Sequence, residues 1–197
     1  DCALDPYLEQ IADHMLNYCK GRKTVVFLPL IRTSQKFRSI LEEHGFRAAE
    51  VNGESSDRNE IIKDFDEGKY DVICNSMLLT EGWDCPSVDC IVVLRPTKIR
   101  SLYCQMVGRG TRLYPGKKEL LLLDFLWMSQ KHELCRPADI VCPNKEIAEK
   151  MTETLEDGEA VDILEAEEQA ERDVIQEREQ KLAEELKAQQ HKKGKLV

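Results

Sequence analysis

The chain has 197 residues, of which 42% are hydrophobic, and its formal net charge is −9. This length allows one ordinary domain with an addition, or two small domains. No apolar run approaches the roughly 18 residues that a membrane span needs, and the N-terminus does not resemble a signal peptide. Because the first residue is Asp1 rather than Met, we expect the chain to be a fragment of a longer protein.

The hydrophobic pattern predicts helices that alternate with short apolar strands. We expect Asp5 and Pro6 to begin the first helix, with Asp5 as its cap, and Thr33 or Ser34 to cap the second. The remaining predicted elements, in chain order, are strands at 24–28 and 46–51, a helix at 57–68, strands at 71–75 and 90–94, a helix at 101–107 and a strand at 119–124. Such an alternation is typical of a parallel sheet covered on both faces. The predicted fold class is therefore α/β, a three-layer parallel sheet flanked by helices.

The composition changes after Pro143. Residues 144–197 are rich in Glu, Gln, Ala, Lys and Arg, which favour helix, so we predict a domain at 1–143 and a charged helical extension at 144–197. This extension is either a solvated or loosely docked helix, or a coiled-coil or partner-binding arm. The apolar positions keep no clean heptad: Ile163, Val174, Leu182 and Leu186. We expect disorder from His191 onward.

The charges are distributed unevenly. Residues 144–197 carry a net charge of −7 and residues 1–143 only −2, yet residues 95–118 contain seven Arg or Lys and no Asp or Glu. A basic stretch on a nearly neutral body indicates either an anion or nucleic-acid surface or a solvated loop.

The cysteines and histidines are scattered. None of the eight cysteines forms a C-x-x-C pair and the four histidines are dispersed, so we expect no metal site. Several cysteines lie in apolar stretches and are expected to be small buried side chains. This usage favours a reducing, intracellular compartment, and we expect a cytoplasmic location.

The segment 105–112, Q-M-V-G-R-G-T-R, carries the strongest chemical signal. On a helix, Arg109 and Arg112 would share one face, where two guanidiniums repel unless an anion lies near them. Polyphosphate fits, because arginine forks match phosphate oxygens. Gly108 and Gly110 would let a ligand approach the backbone closely. The alternative is a solvated basic helix start, with glycines that allow the chain to turn.

Two further segments follow predicted strands, where open parallel sheets bind ligands. In residues 27–34, helix-start amides and Ser34 could hold a phosphate. In residues 76–86, Gly82 permits close approach, and Asp84 could accept a hydrogen bond from a ribose hydroxyl. Ser76 and Thr80 supply hydroxyls for a backbone phosphate.

Together these segments resemble the second RecA-like domain of superfamily 2 helicases and translocases. Residues 24–34 resemble motif IV of that family, residues 79–86 motif V and residues 103–112 motif VI, and residues 51–58 fit the segment between. The resemblance covers about residues 5–128. The E-G-W-D-x-P form of motif V resembles the branch of restriction subunits, repair helicases and phage helicases more than the RNA-directed branch, so a bacterial or phage source would fit.

The resemblance implies a role for each matched position. Arg112 would be the arginine finger, Arg109 a second phosphate contact, and Gln105 would position the nucleotide or the attacking water. The implied ATP-binding residues are Gly82, Asp84, Gly108, Arg109 and Arg112. The implied nucleic-acid contacts are Ile31, Arg32, Ser34, Ser76 and Thr80.

Half of the expected ATP site is absent from this sequence. The chain contains no G-x-x-x-x-G-K-[ST] and no D-E-x-[DH] after a strand. We therefore expect a missing N-terminal RecA-like domain to supply the phosphate-binding Lys and the Mg²⁺ ligands, and the isolated chain to hydrolyse almost no ATP. DNA is the expected partner, with RNA left open, and the helical tail could bind a partner or a second copy.

Two other classes of function are alternatives to this interpretation. An NAD- or FAD-dependent enzyme is disfavoured because no G-x-G-x-x-G follows the first strand. A non-catalytic module that binds nucleic acid or protein through its helical tail is the second alternative.

Overall fold

A computed structural model describes residues 4–76, 83–125, 134–155 and 161–193, without the side chains of residues 155 and 188–193. The chain divides into two compact units, Asp1–Cys135 and Arg136–Val197. Residues 136–143, which the sequence prediction assigned to the first domain, belong to the second unit.

The first unit is built on a parallel sheet of five strands: β1 (Thr24–Phe27), β2 (Ala48–Val51), β3 (Val72–Asn75), β4 (Cys90–Val93) and β5 (Leu121–Asp124). Their order is β2-β3-β1-β4-β5, and every neighbouring pair is parallel. All residues of the three inner strands are buried, whereas every residue of the edge strand β5 is partly exposed. The continuously apolar inner strands reflect this burial on both faces.

Helices connect the strands and cover the sheet: α1 (Leu8–Tyr18), α2 (Ile31–Glu43), α3 (Arg58–Asp66) and α4 (Arg100–Gly108). Leu8 and Met15 of α1 and Phe37 of α2 share a core with Val26 and Val92 of the sheet. This arrangement confirms the predicted three-layer RecA-like α/β fold. It also gathers the segments that follow β1, β3 and β4 at one edge of the sheet.

The two predicted helix caps are wrong. Asp5 lies within a short 3₁₀ turn, and its carboxylate accepts a hydrogen bond from Lys36 Nζ at 3.2 Å. Helix α2 begins earlier than predicted, directly after the extended Leu30, without a side-chain cap. Thr33 and Ser34 consequently lie inside the first turns of α2 and are buried.

The second unit consists of α5 (Ala138–Val141), α6 (Lys145–Leu155) and α7 (Ile163–Lys193). Lys150 Nζ of α6 lies 3.0 Å from Glu177 of α7, and Arg178 pairs with Glu146. The three helices share a small core: Ala138, Cys142, Ala148, Met151, Ala166 and Ala170. Helix α7 therefore docks on α5 and α6 through its first part, whereas the side chains of residues 175–187 are all exposed.

Helix α7 extends through His191 to Lys193, beyond the point where disorder was expected, and residues 194–197 lie outside the description. Leu182 and Leu186 are more than half exposed, so a partner-binding arm remains a prediction. Among the helices that the structure describes, none is long and apolar enough to cross a membrane.

Candidate functional site

The arginine segment lies at the end of α4 and not along it. The helix ends at Gly108 and Arg109 is its C-cap. Gly110 N then donates to Val107 O at 2.9 Å, and Thr111 Oγ1 donates to Gly108 O at 3.1 Å, so the chain turns away from the helix axis. The prediction that the two arginines share a helix face is therefore wrong, because Arg112 belongs to the loop after the helix.

Both arginines instead converge on residues 83 and 84. Arg109 donates through NH1 to the carbonyl oxygen of Trp83 at 3.0 Å. Arg112 forms an ion pair with Asp84. The loop after α4, which carries the finger candidate, thus contacts the loop that carries the predicted ribose ligand.

The Asp84–Arg112 pair is accessible to solvent. The Arg112 side chain is 46% exposed and that of Asp84 is 55% exposed. Solvent-exposed ion pairs contribute little to stability, usually about 0–1 kcal/mol. An incoming phosphate, with more charge and more acceptor oxygens, can therefore displace Asp84 from the guanidinium at small cost.

Gly110 is the glycine of this segment that steric fit requires. A Cβ at Gly110 would lie 2.4 Å from Leu120 Cδ1 and 2.9 Å from Ile91 Cγ1, whereas a Cβ at Gly108 would have open space. Gly110 therefore lets the loop lie directly on the sheet. Gln105 is exposed on α4 and Gly108 is partly exposed, so both can be reached from solvent.

A residue that the sequence analysis did not single out completes this loop. Lys117 Nζ donates to the carbonyl oxygens of Arg112 at 3.0 Å and Pro86 at 3.5 Å, and also to that of Gly110. Lys117 N donates to Tyr114 O at 3.0 Å, and Gly116 has a φ of +84°. The sequence signal was available, since Pro-Gly at the centre of a type II turn predicts that the chain reverses there.

The predicted nucleic-acid contacts differ in accessibility. Arg32 is exposed and Ile31 is partly exposed at the start of α2. Ser34 and Ser76 are buried, at 0% and 3% exposure, and their hydroxyls have no hydrogen-bond partner among the described residues. Gly82 and Thr80 lie outside the described residues. The structure therefore places Ile31 and Arg32 at the surface and the two serines beneath it.

The buried Ser34 lies near the carboxyl group of Glu50. Burial raises the pKa of the Glu50 carboxyl, while nearby Asn52 and Ser34 lower it in part. The amide of Asn52 makes true hydrogen bonds to that carboxylate, at 3.0 and 3.2 Å. The Ser34 hydroxyl helps to lower the pKa of this carboxyl, although it makes no hydrogen bond of good geometry among the described residues.

Two further contacts fix the surroundings of the site. Arg95 NH1 donates to Ser76 O at 3.1 Å and joins the ends of β4 and β3. Trp83 is 3% exposed, with its ring 6.5 Å from that of Phe65, as expected for a packing residue. The chain segment around Asp84 is thereby anchored on the protein core.

Comparisons with known proteins identify the family of the chain. Residues 7–114 match the family described as "Helicase conserved C-terminal domain". The chain is 41% identical over 104 residues to irc3 of Schizosaccharomyces pombe, named as a candidate mitochondrial ATP-dependent helicase; the match covers 52% of this chain and 17% of that protein. It is 34% identical over 106 residues to UvrABC system protein B of Thermus thermophilus, covering 50% of this chain and 16% of that protein. The chain thus matches less than a fifth of the length of these relatives.

Solved structures show the same fold. The C-terminal domain of the DEAD-box protein Dbp5 gives a TM-score of 0.52 at 19% identity, covering 60% of this chain and 69% of that one. The Escherichia coli DEAD-box protein SrmB gives 0.51 at 22% identity, covering 60% and 71%. Since the family match spans more than half of the chain and the fold agrees, the chain belongs to the helicase conserved C-terminal domain family and has a RecA-like fold.

Proposed function

We propose that this chain is one half of an ATP-driven motor that moves along a nucleic-acid strand. The observation that supports this most directly is the exposed Arg112, which lies beside the loop after β3 and whose guanidinium pairs with the exposed carboxylate of Asp84. A second RecA-like domain, with a phosphate-binding Lys and Mg²⁺ ligands, would face this surface. ATP is then the substrate bound between the two domains.

In this proposal each arginine has a distinct task. Arg112 leaves Asp84 and donates to the γ-phosphate, where it stabilises the charge that develops during phosphoryl transfer. Arg109, tied to the carbonyl of Trp83, keeps the end of α4 in place and contributes positive charge beside the phosphates. Gln105, exposed one turn earlier on α4, orients the nucleotide or the attacking water. Gly108 leaves room for the nucleotide there.

Asp84 would exchange partners when the nucleotide binds. Its carboxylate pairs with Arg112 in the structure, and an acceptor that loses this guanidinium can accept hydrogen bonds from the ribose hydroxyls. Gly82, two residues earlier in the same motif, would allow the sugar to approach. One carboxylate would thus couple ribose binding to release of the finger.

The nucleic acid would bind at the edge of the sheet where β1 and β3 end. Exposed Arg32 would contact a phosphate and the start of α2 at Ile31 would present backbone amides. Ser34, Ser76 and Thr80 would add hydroxyl contacts, but the buried serines must first become accessible. Such contacts do not read sequence and weaken with salt, and we propose DNA as the strand.

The direct test is ATP hydrolysis by the complete two-domain protein with single-stranded DNA, single-stranded RNA or no nucleic acid. We expect turnover to rise when the strand is added, more with DNA than with RNA, and the isolated chain to show almost none. ATP turnover that is unchanged by either strand would contradict the proposal of a nucleic-acid motor. A larger rise in ATP turnover with RNA than with DNA would support the proposal of a motor and contradict the choice of DNA as the strand.

The Asp84→Asn variant tests the exchange of partners. Asn keeps the shape of the side chain but loses the charge, and hydrogen bonds to charged groups are worth about 1.5–3 kcal/mol. We therefore expect KM for ATP to rise roughly tenfold or more, with a smaller change in kcat. If KM falls instead, Asp84 acts only as a competitor of ATP for Arg112 and does not contact the ribose.

A further inference from the structure

The ammonium group of Lys117 lies where three backbone carbonyls meet. It donates to the oxygens of Arg112 at 3.0 Å and Pro86 at 3.5 Å, and to that of Gly110. An ammonium has three N–H donors, so one donor is available for each carbonyl. Two of these carbonyls belong to the loop after α4, and the third belongs to the loop that carries Asp84.

The local fold directs Lys117 to this place. Pro115 and Gly116 occupy the centre of a turn closed by the hydrogen bond from Lys117 N to Tyr114 O at 3.0 Å, and Gly116 adopts a φ of +84°. In a type II turn this left-handed position belongs to glycine. The turn reverses the direction of the chain at the exposed tip of the loop. Lys117 therefore lies next to Gly110 and Arg112, which precede it in the same loop.

The surroundings of the Lys117 ammonium act on its charge in opposite directions. Two of the carbonyls, those of Gly110 and Arg112, follow the C-terminus of α4, where the helix dipole is negative. Partial burial lowers the pKa of Lys117, while the Asp89 carboxylate raises it in part. The three backbone oxygens take the place of water around the partly buried ammonium, as expected of a group that stabilises a loop conformation.

We infer that Lys117 is a positioning residue for Arg112. Its ammonium fixes the backbone of the Arg112 loop against the loop that carries Asp84, and so sets where the guanidinium can reach. This inference rests on the proposed finger role of Arg112. In this role Lys117 acts through Arg112 and not through contact with the nucleotide or the nucleic acid.

The test compares variants of the complete two-domain protein in nucleic-acid-stimulated ATP hydrolysis. Lys117→Met keeps the length of the side chain and removes its donors. We expect kcat to fall by about tenfold to 10²-fold, the range that follows from displacing a catalytic group by about 1 Å, with KM for ATP and affinity for the strand near wild type. Lys118→Met, at the exposed neighbouring position, is the matched control and should leave kcat unchanged.

Two further variants separate positioning from general damage. Lys117→Arg keeps N–H donors at this place and should retain more of kcat than Lys117→Met. In the Arg112→Ala background, Lys117→Met should lower kcat no further, because a residue that acts through Arg112 has nothing left to position. Thermal unfolding of each variant checks that the protein remains folded.

The outcomes distinguish the two assignments. If Arg112→Ala abolishes turnover while Lys117→Met turns over like wild type, the finger stands and the role of Lys117 is overturned. If Lys117→Met lowers kcat by the same factor with and without Arg112, Lys117 acts independently of the finger and the inference is also overturned. Wild-type turnover in Arg112→Ala would reject the finger, and the positioning role with it.

Discussion

Replacing Arg112 with Ala in the complete two-domain protein is expected to lower nucleic-acid-stimulated ATP turnover by roughly 10³-fold or more, the effect of removing an arginine finger from phosphoryl transfer. The loss should appear in kcat, with little change in KM, because the finger acts mainly on charge that develops in the transition state. Steady-state ATP hydrolysis with a saturating strand measures it.

The geometry explains why the fold should tolerate this change. The Arg112 side chain is 46% exposed and its described partner is the exposed Asp84, so its removal leaves no buried charge and opens no cavity. We expect the free energy of unfolding to change by less than about 0.5 kcal/mol. Affinity for the strand should stay near wild type, since one phosphate contact at most is affected.

Two further variants make the test of the finger specific. Lys118→Ala removes a positive charge from an exposed position in the same basic stretch and should have little effect on turnover. Arg112→Lys keeps the charge but loses the planar fork, so its turnover should lie between Ala and wild type. Turnover in Arg112→Ala equal to that of wild type would remove Arg112 from the catalytic site.

The Gly110→Ala variant should be the most damaging change of a single methyl group in this region. Its Cβ would lie 2.4 Å from Leu120 Cδ1, which can rotate away, and 2.9 Å from Ile91 Cγ1, which is fully buried in β4. The loop must therefore lift from the sheet. We expect a loss of about 1–3 kcal/mol in the free energy of unfolding, typical of overpacking.

The same displacement should reduce catalysis. Gly110 lies between Arg109 and Arg112, so a shift of about 1 Å misplaces both and could lower kcat by roughly 10²-fold. Gly108→Ala is the matched control for stability, because its Cβ has open space and α4 is helical there. It should be neutral or stabilising by up to about 1 kcal/mol in urea unfolding. Equal unfolding energies for the two variants would show that Gly110 has no special steric role.

Several features of the fold could be predicted from local sequence. The apolar runs at β1, β3 and β4 predicted buried parallel strands because a strand covered on both faces has no polar side, and the structure confirms them. The cap predicted at Thr33 or Ser34 was wrong because the local sequence allows two positions for a hydroxyl. A hydroxyl near a helix start can either cap it or enter the first turn, and only the packing of α2 decided that Thr33 and Ser34 are buried.

The boundary between the units also depended on packing. Pro143 marks a change of composition, yet Ala138 and Cys142 already belong to the core of the helical unit. Composition records where charged residues become frequent, whereas a compact unit is defined by which side chains bury one another. Ala138 and Cys142 precede the charged tail, and nothing in their local sequence indicates which of the two units they pack into.

The sequence by itself determined the parallel sheet, the family and the identity of the arginine segment, because hydrophobic period and motif spacing are local properties of the chain. Only the tertiary structure decided what the arginines contact. Arg109 reaches Trp83, which is 26 residues away in the chain, and Lys117 reaches Pro86, which is 31 residues away. These contacts arise because residues 83–86, before β4, lie beside the loop that follows α4, so that the carboxylate of Asp84 and the carbonyls of Trp83 and Pro86 contact that loop.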